Sequence, residues 1–174
     1  YDHAGFLAIS DLEECVMYFG RNFERPNEYY AHWERRTASA QKYLSAMSGN
    51  GLGADGVAGS ALTKIGCPYV WGAAGPDSYD CSGLVLWSYQ QSGIMNMGRT
   101  TYDQISQCRI ISKEEAQPGD LIFMIFSSPG VPEHVGIYIG DGMMVHAPTF
   151  GSSVKIDEAG WTYSDAVYAR YIGS

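Results

Sequence analysis

The sequence predicts an α+β fold, in which helices come first along the chain and a mainly antiparallel sheet of about five strands follows. Apolar residues recur with a helical period in the segments before about residue 107. Alternating, β-rich runs separated by short turns fill the chain after residue 120. Helices and strands that are segregated in this way are typical of α+β domains.

Two regions are predicted, an N-terminal helical extension or linker from a preceding domain at residues 1–53 and a single domain at residues 54–174. Apolar side chains such as Tyr29 and Trp33 follow a helical period over residues 26–47, and a glycine-rich break ends just before residue 54. The aromatic face of this helix would be costly to leave in water. We therefore expect it to pack on the following domain as a stabilising arm.

Helices are predicted at three places in the second region. Asp55 and Asp80 stand where N-cap residues are expected, each before a run that continues helically, and glycines follow at the predicted ends of both runs. The predicted helices cover residues 55–66, 81–92 and 101–107.

The strands are predicted from period-2 alternation of β-branched and aromatic residues. A turn at residues 140–142, Gly-Asp-Gly, joins two of them into a hairpin. The predicted strands cover residues 121–126, 135–139, 143–146, 154–156 and 166–172.

Composition and charge restrict the partners. The 174 residues are 45% hydrophobic, and the formal net charge of −8 is divided into −2 over residues 1–53 and −6 over residues 54–174. This balance argues against nucleic acid and anionic surfaces as partners. The sequence contains no run of 18 apolar residues, so no membrane span is predicted. The start at Tyr1 without a leader is typical of a processed or excised fragment.

Cys81 is the candidate nucleophile. It follows the turn-rich stretch at residues 72–78 and opens a predicted helix with Asp80 as N-cap. Backbone N–H groups and the positive end of the helix dipole gather at that position, and they can lower a thiol pKa from about 8.5 to about 4–7. The same N–H groups can stabilise the oxyanion of a tetrahedral intermediate. We therefore expect a thiolate at Cys81 and a thiol hydrolase.

His134 and His146 are the candidate base and orienting group. The predicted hairpin places them near each other at one end of adjacent antiparallel strands. A neutral imidazole can take the thiol proton, and a second polar ring can fix its tautomer through the other nitrogen.

Simpler interpretations exist for each of these residues. A single cysteine is usually a small buried residue, and a strand histidine is usually structural. A zinc site made of Cys81, His134 and His146 is chemically reasonable, but no Cys-x-x-Cys or His-Glu-x-x-His spacing supports it. We therefore expect neither a metal nor another cofactor.

The remaining cysteines, Cys15, Cys67 and Cys108, are expected to be ordinary interior residues. Three cysteines beside a free Cys81 do not indicate a disulfide framework. At most one bridge can form among them, and the sequence leaves its existence open.

Six blocks in order along residues 54–174 resemble the NlpC-type cell-wall cysteine endopeptidases, a family with a trimmed papain-like fold. A single block would be a weak signal, but six in register are specific. The blocks are GCPYVWG at 66–72, DCSGLV at 80–85, RTTYDQ at 99–104, PGDLIF at 118–123, HVGIYIG at 134–140 and MVHAP at 144–148.

The resemblance implies a role for each matching residue. Cys81 would be the nucleophile, His134 the general base and His146 the third polar residue of the catalytic set. Tyr69 and the backbone N–H of Cys81 would contribute to the oxyanion site. The neighbours of the nucleophile, Asp80 and Ser82, would line the pocket for the acyl side of the substrate.

The resemblance also implies a substrate and a location. The family cleaves peptidoglycan stem peptides or muropeptides, most often between D-glutamate, at its γ-carboxyl, and a diamino acid such as meso-diaminopimelate or lysine. We therefore expect an extracellular or cell-wall location and further domains in the parent protein. An amidase or acyltransferase that uses the same thiol is the main alternative. A catalytically silent wall-binding module is disfavoured because all three catalytic positions hold competent residues.

Two features depart from the family pattern. Ala73 stands where a second glycine is usual after Trp-Gly, which would require a different loop if the position needs a positive φ. The segment at residues 127–132, just before His134, also looks long, which affects the expected shape of the groove wall.

Overall fold

The computed structural model describes residues 56–159 and 166–173. Three α-helices precede all the strands in these residues, and a short 3₁₀ turn, Lys113–Glu115, follows the first strand. The helices are α1 (Val57–Leu62), α2 (Cys81–Gln91) and α3 (Thr101–Ser106). The strands are β1 (Cys108–Ile111), β2 (Leu121–Ser128), β3 (Val131–Gly140), β4 (Met143–His146), β5 (Lys155–Glu158) and β6 (Val167–Tyr171).

The strands form one sheet in the order β1-β6-β2-β3-β4-β5, and every neighbouring pair is antiparallel. The predicted α+β class and mainly antiparallel sheet of about five strands are confirmed, and within the described residues the sheet has six strands. The missed strand is β1, which pairs with β6 at one edge. Only Ile111 of its four residues is buried, so the sequence lacked a clear alternation there.

The helices lie against one face of the sheet. Strand residues of alternating position, such as Phe123, Val135 and Ile137, form one buried cluster with Leu84 and Val85 of α2. The intervening positions belong to a second buried cluster on the other face. The members of this second cluster are Ile111, Ile122, Met124, Tyr138, Met144 and Tyr168.

Two of the three helices begin after a residue whose side chain caps them. Asp80 caps α2 by accepting a bond from the backbone N–H of Gly83, as predicted. At α3, Thr100 forms a capping box with Asp103. The first predicted helix is shorter than expected, because α1 begins after Gly56 without a side-chain cap and ends at Leu62. The predicted cap Asp55 lies outside the described residues.

The two hairpins around β3 position the candidate histidines. The Gly-Asp-Gly turn at 140–142 is present as predicted, with Asp141 in the left-handed region at φ 51°. The segment at 127–132 is a second hairpin rather than a long loop, since β2 continues to Ser128 and β3 begins at Val131. The groove wall before His134 is therefore an extended strand pair.

The predicted N-terminal helix at residues 26–47 and the boundary after residue 53 lie outside the described residues. Within residues 56–159 and 166–173, no helix is both long enough and apolar enough to cross a bilayer.

Candidate active site

The start of α2 is held by a close approach of two backbone segments. The Asp80 side chain accepts from the Gly83 N–H at 2.6 Å, and the Asp80 N–H donates to the Ala73 carbonyl at 2.9 Å. A Cβ atom at Gly83 would lie 2.0 Å from that carbonyl oxygen. Glycine is therefore required at Gly83 because the loop before Cys81 lies directly on the first helical turn.

Ala73 fits this loop without strain. Among the described residues, the only position outside glycine with a positive φ is Asp141, whereas the preceding Gly72 has φ 81°. Ala73 therefore needs no left-handed conformation, and its departure from the family pattern does not require a different loop.

Arg99 organises the two residues beside Cys81, a role that the sequence alone did not indicate. Its guanidinium donates to Asp80 Oδ2 at 2.7 Å and to Ser82 Oγ at 3.0 Å. Gly72 N–H donates to the same Asp80 oxygen at 2.9 Å. Asp80 and Ser82 are buried, while 37% of the Arg99 side chain is exposed. Of the three side chains, that of Arg99 is therefore the one that reaches solvent.

The Cys81 sulfur lies among backbone N–H groups of Cys81, Ser82 and Val135, which lower its pKa. Burial raises the thiol pKa more strongly, the neighbouring Asp80 carboxylate raises it further, and the net direction is upward. The expected lowering of the pKa by the helix start was therefore wrong. Burial and the Asp80 charge outweigh the helix terminus, so the thiol is protonated at neutral pH in the ligand-free site.

The strand register brings the two histidines together. His134 lies opposite Met124 on β2, and continuation of the β3–β4 pairing places His146 beside Gly136. The rings meet edge to face, with His134 Nε2 2.8 Å from His146 Nδ1. A Cβ atom at Gly136 would lie 2.8 Å from the sulfur of Met144 and 3.4 Å from the Cβ of His146. The absent side chain thus leaves room for the ring pair.

His134 is a neutral imidazole at physiological pH. Burial lowers its pKa to about 3, the adjacent His146 adds to the lowering, and Asp157 opposes it. Because Nε2 faces His146, Nδ1 is the ring nitrogen left to accept a proton.

Asp157 extends the pair to a third side chain, which the sequence alone did not reveal. Its Oδ2 lies 2.9 Å from His146 Nε2 and 3.1 Å from Lys155 Nζ. The predicted strand ended at residue 156, whereas β5 continues through Glu158. The weak available signal was the spacing of Lys155 and Asp157, which places both on one face of the strand.

Tyr69 lies near Cys81 and is held there by its backbone. Its N–H donates to the Ser152 carbonyl at 2.9 Å, and its backbone forms an isolated parallel β-bridge with that of Tyr79. Burial, followed by the charges of Cys81 and Asp80, raises the pKa of Tyr69. Its hydroxyl therefore keeps its hydrogen throughout the neutral pH range and can donate a hydrogen bond.

The other cysteines in the described residues, Cys67 and Cys108, are half-buried and form no disulfide. Cys15 lies outside the described residues. Within the described part of the chain, no group of three or more His, Cys, Asp or Glu side chains is arranged to hold a metal ion. The two active-site rings direct nitrogens at each other instead of at a common point.

The family model for NlpC/P60 matches residues 66–172, more than half of the chain. The chain belongs to the NlpC/P60 family. The resemblance of the six sequence blocks is thereby confirmed.

Relatives of this NlpC/P60 domain carry consistent names. A probable endopeptidase of Mycobacterium tuberculosis is 38% identical over 130 residues, which are 72% of this chain and 32% of that protein. The probable endopeptidase p60 of Listeria grayi is 43% identical over 102 residues, 58% of this chain and 19% of that protein. The chain thus spans about a third or less of the length of these two relatives.

Solved structures confirm the papain-like α+β fold. The NlpC/p60 domain of the peptidoglycan hydrolase SagA is 37% identical with a TM-score of 0.59, covering 67% of this chain and 96% of that domain. An NlpC/P60 family protein from Bacillus cereus is 33% identical with a TM-score of 0.61, covering 68% of this chain and 40% of that protein.

Proposed function

We propose that this NlpC/P60 domain is a cysteine endopeptidase that hydrolyses peptidoglycan stem peptides. The observation that carries the proposal is the arrangement around Cys81: a thiol among three backbone N–H groups, together with a buried histidine pair in which His134 is neutral. Such a set combines a nucleophile, a base and oxyanion donors. The names of the relatives, endopeptidase and peptidoglycan hydrolase, support the reaction class.

The proposed reaction has two stages. His134 Nδ1 takes the proton of Cys81 as the sulfur attacks the scissile carbonyl carbon, and the N–H groups at the start of α2 and the Tyr69 hydroxyl stabilise the oxyanion. The imidazolium then returns the proton to the leaving amine, which yields a thioester on Cys81. Water, deprotonated by His134, hydrolyses the thioester and regenerates the thiol.

The proposed scissile bond joins the γ-carboxyl of D-glutamate to a diamino acid, meso-diaminopimelate or lysine, as the family resemblance implies. Asp80 and Ser82 would line the acyl-side pocket. Because both are buried and bonded to Arg99, we infer that the partly exposed Arg99 side chain, rather than the paired Asp80 carboxylate, meets the substrate and donates to it.

The proposed location is extracellular or in the cell wall, where this substrate occurs. The net charge of −8 opposes adhesion to anionic wall polymers. Further domains of the parent protein would therefore supply attachment. This agrees with the small share of the relatives' length that the chain covers.

Digestion of purified peptidoglycan, followed by mass spectrometry of the released muropeptides, tests this function. We expect products cut after D-glutamate, with one new amine per cut, from the wild-type chain and none from Cys81→Ala. Release of intact stem peptides from the glycan would instead indicate an amidase. Transfer of the acyl group to an added amine without hydrolysis would indicate an acyltransferase, and binding without any product would indicate a silent module.

A further inference from the structure

The Asp157 carboxylate ends a chain of hydrogen bonds that begins at the catalytic base. The side chains of His146 and Asp157 are 7% and 4% exposed, so the bond between them is protected from water. The contact between His134 and His146 measures 2.8 Å, and the next one, between His146 and Asp157, measures 2.9 Å. A buried chain of this kind strengthens each of its members.

We propose that Asp157 is a positioning residue that fixes the tautomer of both histidines and so leaves the lone pair on His134 Nδ1, the nitrogen assigned to accept the Cys81 proton. This inference rests on the proposed function, because it assigns a direction to the proton transfer in that reaction. The direction depends only on which atoms can donate and which can accept.

The direction of the chain follows from its last member. An ionised carboxylate only accepts, so His146 Nε2 must carry the hydrogen that points to Asp157. With a single ring hydrogen, on Nε2, His146 has a bare Nδ1, which accepts, so His134 Nε2 must carry the hydrogen between the rings. A neutral His134 is left with a bare Nδ1, and a bare nitrogen is what a general base requires.

Lys155 supports the ionised form of Asp157. Its ammonium only donates, and it lies 3.1 Å from the oxygen that also faces His146. A protonated carboxyl could instead donate to His146 Nε2. The direction of donation would then be reversed in both hydrogen bonds. The reversed chain would place a hydrogen on His134 Nδ1 and abolish its action as a base.

Without Asp157, nothing in this chain of hydrogen bonds favours one direction of donation over the other. Asp157→Ala should therefore populate both tautomers of His134. Asp157→Asn is more informative because an amide can either accept or donate. Since Lys155 donates to the same oxygen position, it should hold the amide oxygen toward His146 and preserve the direction. Asp157→Asn combined with Lys155→Met should lose that preference.

Nitrogen-15 NMR of the imidazole rings at pH 7 tests the proposal directly. In the full chain we expect both His134 and His146 to be protonated at Nε2 alone, and His134 to show mixed tautomers in Asp157→Ala. A hydrogen on Nδ1 of His146 in the wild type would overturn the proposal, as would unchanged tautomers in Asp157→Ala. No substrate is needed, so a failure of the proposed peptidase function would not affect this result.

Turnover of a soluble stem peptide supplies the second readout. We expect Asp157→Ala to lower kcat about 10- to 100-fold with KM changed less than about 2-fold, since the residue acts through the base. Asp157→Asn should stay within about 5-fold of the wild type, and the double variant should fall to the level of Asp157→Ala.

Glu158→Gln is the matched control, because it removes the same charge one position along β5 on the opposite face of the strand. It should keep the wild-type tautomers and kcat. Equal losses in Asp157→Asn and Asp157→Ala would overturn the role given to the accepting oxygen. If Asp157→Ala does not fold, as judged by thermal melting, the comparison of Asp157→Asn with the double variant still decides the question.

Discussion

At the scale of single residues, Cys81 and His134 are both neutral before substrate binds. Burial raises the pKa of the thiol and lowers that of the imidazole to about 3, so neither change favours a resting thiolate–imidazolium pair. In the proposed reaction, the proton therefore moves from sulfur to nitrogen as the sulfur attacks. His134 acts as a general base in this account, and the helix start acts mainly on the oxyanion.

The pH dependence of thiol alkylation tests that state. Because the pKa of Cys81 is raised, the thiolate fraction and the rate should climb through the alkaline range, above the ordinary titration range of a cysteine. Iodoacetamide labelling, assigned to Cys81 by peptide mapping, measures this rate separately from labelling of Cys67 and Cys108. A rate plateau between about pH 5 and 7, typical of a preformed ion pair, would contradict it.

The two histidines should differ in the cost of their removal. His134→Ala removes the proton acceptor, and we expect a loss in kcat of about 10³-fold or more. His146→Gln and His146→Asn should keep partial activity, within roughly 10- to 100-fold of the wild type, because either amide can still accept from His134 Nε2. Steady-state kinetics on a soluble stem peptide separate the two, and equal, complete losses would rule out these roles.

At the scale of elements, the start of α2 depends on contact between the loop at 72–75 and the first helical turn. Gly83 permits this contact because any side chain there would collide with the Ala73 carbonyl. The same loop donates the Gly72 N–H to Asp80. Displacement of the loop would therefore disturb both the N-cap and the surroundings of Cys81.

Gly83→Ala should consequently destabilise the domain by about 1–3 kcal/mol or more and lower activity further than the stability loss alone explains. Thermal melting and stem-peptide turnover measure the two effects. Gln91→Ala is the control, since that residue is exposed at the other end of the same helix. A Gly83→Ala protein with wild-type stability and turnover would show that the contact between this loop and α2 does not control the site.

Local sequence signals predicted the parts of the site that depend on neighbours in the chain. The Asp80 cap, the start of α2 at Cys81 and the hairpin at 140–142 all depend on residues within a few positions. Arg99 and Asp157 were not assigned a role, because their partners lie 19 and 11 residues away and meet them only through tertiary packing.

The direction of the Cys81 pKa shift was missed for a related reason. A helix start can be recognised in the sequence, but the degree of burial of the sulfur cannot. In this site, burial is the larger influence on the thiol.

At the scale of the whole molecule, the segment at residues 1–53 remains a predicted stabilising arm. Its predicted aromatic face, with Tyr29 and Trp33, would cost about 1.5–3 kcal/mol per large side chain if left in water. We expect a chain that starts at Ala54 to melt at a lower temperature than the full chain and to turn over a soluble stem peptide at nearly the same rate. A several-fold rise in turnover on truncation would instead indicate an inhibitory lid.

In the proposed reaction, Cys81 forms a covalent intermediate with the acyl part of a stem peptide. Rapid acid quenching during turnover, followed by intact-protein mass spectrometry and peptide mapping, tests this claim most directly. We expect one acyl fragment ending in D-glutamate, bound as a thioester to the peptide that contains Cys81, and none in Cys81→Ala. Formation of product by Cys81→Ala at more than a tenth of the wild-type rate, or an adduct on another residue, would contradict the account.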